Sequence, residues 1–91
     1  MQMDDRFSTS DDVVSRDVSG EMVLLNLDSG TYFGLNEVGA RIWQMLESGP
    51  VSISALRDQL LDEYEVDQAE VESSVIEIMQ KLVDNQLVVP A

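Results

Sequence analysis

Ninety-one residues at 44% hydrophobic content are enough for one domain with a modest core and too few for a second. A formal net charge of -13, from 18 acidic against 5 basic residues, opposes nucleic-acid binding, which draws its affinity largely from Lys and Arg displacing counterions from phosphates. With no Cys and no His the chain has no thiolate nucleophile, no imidazole base and no Cys/His zinc site, so any catalysis would rest on carboxylates, hydroxyls or Lys81.

Residues 1–12 carry Asp4, Asp5, Asp11 and Asp12 among Ser and Thr, with Phe7 as the one aromatic residue, and predict a flexible acidic tail outside the fold. The folded domain is then expected over residues 13–91. The tail has neither the positive start nor the apolar run of a secretory signal. Val13 and Val14 open a short strand, and after a Ser19-Gly20 turn the run Met22-Val23-Leu24-Leu25-Asn26-Leu27 predicts a second. Asp28-Ser29-Gly30 supplies turn chemistry, with Gly30 free to take positive φ, and the β-branched and aromatic run from Thr31 to Leu35 closes an antiparallel meander. Asn36 stands where a helix N-cap belongs, Glu37 suits the first turn, and Val38, Ile42 and Leu46 recur at helical spacing until Gly49-Pro50. Ser52 or Ser54 caps a second helix with the apolar face Leu56, Leu60, Leu61 and Tyr64. Asp67 followed by Glu70 makes a capping-box-like start for a third. In that helix Val71, Val75, Ile78 and Leu82 line one face, and Ile76, Met79 and Val83 form a second apolar stripe beside it. Asn85 ends the helix, and Leu87-Val88-Val89 follow as an extended apolar tail before Pro90. No repeat and no membrane-spanning apolar run is present, and the lack of Cys fits a cytoplasmic setting.

Three strands followed by three helices amount to an α+β, winged-helix-like domain with its three-stranded antiparallel sheet at the N-terminal end. Such folds often bind DNA, but the third helix offers Glu70, Glu72 and Glu77 with only Lys81, the wrong charge for a phosphate backbone. A carboxylate-dependent enzyme is a further alternative, which needs a concave site with converging acids. The acidic residues lie along polar helix faces and in the tail without a Gly-centred calcium loop, so a solvated surface is expected and no metal site. The third strand keeps one row of backbone N–H and C=O groups unpaired, and Thr31–Leu35 contains no Pro, Lys or inward charge to guard it. A peptide added there would gain main-chain hydrogen bonds, with side-chain specificity from a neighbouring apolar groove walled by the second stripe of the third helix. The alternative packs Ile76, Met79 and Val83 into the core, on the sheet or on Leu87 and Val88. The same free edge also suits pairing of two copies across a two-fold axis.

The segment Leu27-Asp28-Ser29-Gly30-Thr31-Tyr32-Phe33-Gly34-Leu35-Asn36-Glu37-Val38-Gly39-Ala40-Arg41-Ile42-Trp43 resembles the signature of the PqqD-like family, stand-alone recognition elements for the leaders of ribosomally made precursor peptides. The resemblance extends from Val13 to Val89 and is most specific in the Gly-Thr-Tyr-Phe-Gly-Leu-Asn block. It implies an adaptor without catalysis or cofactor, in which a leader peptide lies along the third strand and packs on the third helix. The Tyr-Phe-Gly-Leu-Asn wording is more similar to the lasso-peptide members than to the partner of pyrroloquinoline quinone synthesis, which stays the alternative. A lasso role implies a leader-removing cysteine protease and an ATP-dependent cyclase as partners, and a leader carrying Tyr and Pro three positions apart. Carried over residue by residue, the resemblance assigns Thr31, Tyr32, Phe33 and Leu35 to the strand edge and Val75, Ile76, Met79 and Val83 to the helix wall. Strand alternation keeps all four strand residues from facing the groove together. Ile42 and Trp43 are expected in the core, and Gly34 and Gly39 at close approaches of backbone or helix.

Overall fold

The chain folds into two small antiparallel sheets and three helices in the computed structural model, which describes residues 1–19 and 21–91. In chain order these are β1 (Arg6–Thr9), β2 (Val13–Val18), β3 (Glu21–Asn26), β4 (Thr31–Leu35), α1 (Glu37–Glu47), β5 (Val51–Ser52), α2 (Ile53–Glu63), α3 (Gln68–Asp84) and β6 (Val88–Pro90). The expected meander is the sheet β2-β3-β4, antiparallel throughout and in the register Val14↔Leu25↔Tyr32 and Arg16↔Val23↔Gly34. Its first strand is longer than Val13 and Val14 alone suggest. Its second stops at Asn26, leaving Leu27 exposed in the turn. Gly20 of the expected Ser19-Gly20 turn lies outside the described residues, and Ser19 itself has a φ of 53°.

The second sheet, β5-β1-β6, corrects two expectations at once. Residues 1–12 are not a free tail: Arg6–Thr9 is the central strand, paired with Val51 and Ser52 on one side and with Val88, Val89 and Pro90 on the other. Met3 and Asp5 add carbonyls that accept from Ser54 N (2.8 Å) and Ile53 N (3.1 Å) at the start of α2. Phe7, only 7% exposed, joins the core, and the apolar C-terminal run is a strand with Leu87 and Val88 buried. Burying one large ring between two backbone partners outweighs the polar composition of its neighbours.

Local chemistry sets the helix starts. The Asn36 side chain accepts from Gly39 N at 2.8 Å, and the Ser52 hydroxyl accepts from Ala55 N at 3.1 Å. Asp67 occupies the N-cap of α3 without a side-chain cap bond, so the capping box does not form. A Cβ added at Gly39 would meet the Leu35 side chain at 3.2 Å and Asn36 Oδ1 at 3.3 Å, a close approach as expected. One added at Gly34 would meet nothing within 4 Å, so close packing does not explain that glycine. Leu24 of β3, Ile42, Trp43 and Leu46 of α1, Leu56 and Leu60 of α2, and Val75, Met79 and Leu82 of α3 close one continuous core.

Candidate functional site

Among the described residues β4 has a strand partner on one side only, β3, so the row of backbone groups facing away from β3 is free to pair. Alternation along β4 divides its side chains. Phe33 lies opposite the fully buried Leu24 and Leu35 opposite the buried Met22, so Thr31, Phe33 and Leu35 share the inner face, and Tyr32 and Gly34 the outer. Leu35 is buried beneath the start of α1, Phe33 is half-buried against the core, Thr31 is exposed beside the turn, and Tyr32 is 70% exposed. Phe33 is therefore the apolar side chain that the inner face leaves open at the free edge.

The helix wall needs correction. Val75 and Met79 are 0% exposed, and no groove side chain could touch them without opening the core. At about 100° per residue, α3 has two flanks beside this buried line. One carries Glu72, Ile76 and Val83. Glu72 Oε1 accepts from Arg57 Nη1 of α2 at 2.9 Å, Ile76 lies exposed beside Ser73, Glu77 and Gln80, and Val83 lines a cavity with Val88 and Val89 of β6 and with Asn26 and Asp28 at the β3-β4 turn. The other flank carries Ser74, Ile78 and Asn85. Ser74 and Val71 line a cavity with Val38, just beyond the end of β4, and the Asn85 carbonyl accepts from Asn26 Nδ2 of β3 at 3.2 Å. Half-buried Ile78 is the apolar residue of this second flank, between Ser74 at the cavity near the end of β4 and Asn85 beside β3. Ile76 is exposed among polar neighbours of its own helix, and Val83 is half-buried between β6 and the β3-β4 turn. A periodicity count places Ile78 within the main face and so passes over its open edge.

The cavity beyond β4 has a volume of about 170 Å³ and is walled by Val38, Leu60, Tyr64, Val66 and Val71, with Glu70 and Ser74 at its polar margin. Its helices are held by ions at their surface: Arg41 of α1 donates from Nε to Glu63 Oε1 at 2.7 Å and from Nη2 to Oε2 at 2.6 Å. That fork, aided by Gln59, holds the Glu63 carboxyl down at about 2, well below the ordinary carboxylate range. Asn26, buried in the floor of the turn before β4, accepts from Asp28 N and Ser29 N while donating to Asn85, which fixes where β4 begins. Its strand-like sequence neighbours hide this role.

A more polar concavity of about 250 Å³ brings Asp17 and Glu37 together with Arg41, Gln44 and Tyr64. Both carboxylates are exposed, and the Tyr64 hydroxyl is pushed up by burial and by Glu37, which keeps it protonated at neutral pH. Among the described residues no group of three or more acidic side chains could hold a metal ion, and no helix is long and apolar enough to cross a membrane.

Comparison with known proteins gives three results. The family described as Coenzyme PQQ synthesis protein D (PqqD) matches residues 21–88. The fold is similar to the solved structure of TbiB1 in complex with the TbiA(beta) leader peptide, with 41% identity, a TM-score of 0.81, and coverage of 89% of this chain and 93% of that one. It is also similar to a lasso peptide synthetase B1 complexed with the leader peptide, at 30% identity and a TM-score of 0.79 over 92% of this chain and 98% of the other. Among curated proteins no match was found.

Proposed function

The chain belongs to the PqqD family, and from that membership we propose that it is a non-catalytic adaptor, which binds the leader of a ribosomally made precursor and presents it to separate enzymes. The leader adds as a strand to the free edge of β4 and lays apolar side chains against Phe33, Ile78 and the cavity at Val38 and Val71. The observation that supports this is an unguarded strand edge next to the flank of α3 that carries half-buried Ile78 and borders the cavity near the end of β4. Two similar proteins bound to leader peptides support it, and one of them is named as a lasso peptide synthetase component. A leader-removing protease and a cyclase acting in the cytoplasm, where the precursor is made, are the partners this role implies. The family's name favours a second reading, chaperoning the precursor of pyrroloquinoline quinone. A duplex-DNA role has no support in the geometry: the exposed side of α3 carries Glu70, Glu77 and Asp84, and Lys81 sits 3.5 Å from Glu77.

Titration with a lasso leader and with a pyrroloquinoline quinone precursor tests the choice. We expect saturable binding of the lasso leader, with amide exchange slowed across Thr31–Leu35. Protection confined to other segments would overturn strand addition, and tight binding of the quinone precursor alone would move the chain to that pathway.

A further inference from the structure

Two backbone hydrogen bonds fix which groups β4 leaves free. The Asn26 carbonyl accepts from Gly30 N in the turn before β4 at 2.8 Å, and Leu27 N donates to the Asp12 carbonyl on the β2 side at 2.8 Å. Successive residues of a strand point their N–H and C=O to opposite sides, so Asn26, Leu24 and Met22 direct theirs at β4. Their partners Thr31, Phe33 and Leu35 direct theirs back at β3. The free row is therefore the N–H and C=O of Tyr32 and Gly34, the two residues of β4 that face outward from the sheet. Every strand pair of the described chain is antiparallel, and a peptide added in that sense bonds to both. Its residues opposite Tyr32 and Gly34 then turn their side chains to the outer face, and the residue between them faces Phe33 and the inner groove.

Gly34 has no role inside the chain that requires a glycine. Its φ is not positive, and a Cβ built on it meets nothing within 4 Å. A glycine weakens the strand that holds it, and one without an internal cause marks a place where another molecule approaches the backbone. On the outer face this bare backbone is bordered by half-buried Val23, its cross-strand partner, and by Tyr32, 70% exposed and two residues along the same strand. With Leu25, these two line part of a shallow concavity of about 340 Å³. Arg16 on β2 and Glu21 on β3 flank Val23 with opposite charges, so the surface favours neither charge in an occupant. A peptide side chain opposite Gly34 must span the width of a missing side chain to reach Val23. A flat ring does so, covering the glycine and meeting Tyr32 on the diagonal.

We propose that Gly34 sets the specificity of the edge: its bare backbone takes an aromatic side chain of the added strand, on the face of the peptide opposite to the one that meets Phe33 and Ile78. The inference rests on the peptide-recognition reading and adds to it a second, outer contact. A labelled lasso leader, methylated at one backbone nitrogen at a time, locates the register by anisotropy. Two positions separated by one residue are expected to lose at least tenfold in affinity, and the more N-terminal of them is the residue paired with Gly34. Phe and Ala are then placed at that position and titrated against the native chain, Gly34→Val and the milder Gly34→Ala, with melting measured for each. The native chain is expected to bind the Phe peptide about tenfold more tightly than the Ala peptide. In Gly34→Val, whose branched side chain fills the notch, the ratio should fall to within about two-fold, with Gly34→Ala between and melting no lower than native. An equal preference for Phe in the native chain and both variants, or none in the native chain, would overturn the proposal. So would losses on methylation at adjacent positions or at none, since one row of edge groups engages alternate residues. Failure of the native chain to bind the unmodified leader is a distinct result, which removes the peptide-recognition reading itself and the outer contact with it.

Discussion

Ile78 and Met79 are adjacent in α3 and differ by about 100° around the helix, which separates a half-open side chain from one closed on every side. Met79→Ala therefore empties core volume and is expected to destabilise the fold by ~2–5 kcal/mol, with peptide affinity unchanged in whatever fraction stays folded. Ile78→Asp is expected to do the reverse, lowering leader affinity at least tenfold while melting shifts little, because a charge would stand where an apolar leader side chain docks. Chemical denaturation and peptide titration of both variants check this together; equal loss of affinity from both would return Met79 to the groove. The sequence shows the width of the apolar arc on α3, from Val71 through Val83, and correctly makes it wider than one core stripe. It does not show which residues of that arc the fold closes over. That depends on tertiary contacts such as the one between Arg57 of α2 and Glu72, 15 positions apart, which no period reveals.

At the scale of elements, what could be read was what is local. Asn36 and Ser52 cap their helices through bonds three residues long, and the β2-β3-β4 meander follows from alternation and turn chemistry. β1 escaped because its partners are far off, Val51–Ser52 across α1 and β4, and Val88–Pro90 at the other end of the chain. Asp4, Asp5, Asp11 and Asp12 around it mimic disorder, and only Phe7 signals burial. The consequence is measurable. Phe7→Ala removes a ring that is nearly enclosed and is expected to destabilise the domain by ~3 kcal/mol or more, lowering its melting temperature by about 12 °C or more at this size. Thermal melting followed by circular dichroism reads the shift. A change of only a degree or two would mean that the N-terminal strand is dispensable and that residues 1–12 act as the tail their composition describes.

At the scale of the whole molecule, a net charge of -13 makes stability against pH a sum of opposed effects, because acid relieves repulsion among 18 carboxylates while it breaks the few that are paired. Glu63 can be isolated from that sum. Its pKa is lowered from 4.5 to about 2, first by the hydrogen bonds from Arg41 and then by Gln59, so the folded state favours the ionised carboxylate more than the unfolded chain does. A lowered folded-state value means that the stabilisation is complete above about pH 4.5 and disappears as the pH falls toward 2. Glu63→Gln keeps the side chain's size and removes the titration. The native chain should then melt above the variant by a constant margin from about pH 7 to about pH 5, with the margin shrinking between 4.5 and 2 and vanishing below. The margin itself should be small and should narrow in high salt, because the Arg41 and Glu63 side chains are 33% and 26% exposed. Because the other carboxylates are common to both proteins, their titration cancels in the difference. A gap in melting temperature that persists at the acid end of this range would show that the Glu63→Gln substitution disturbs packing between α1 and α2, and that the fork from Arg41 is not what holds the cavity's helices together.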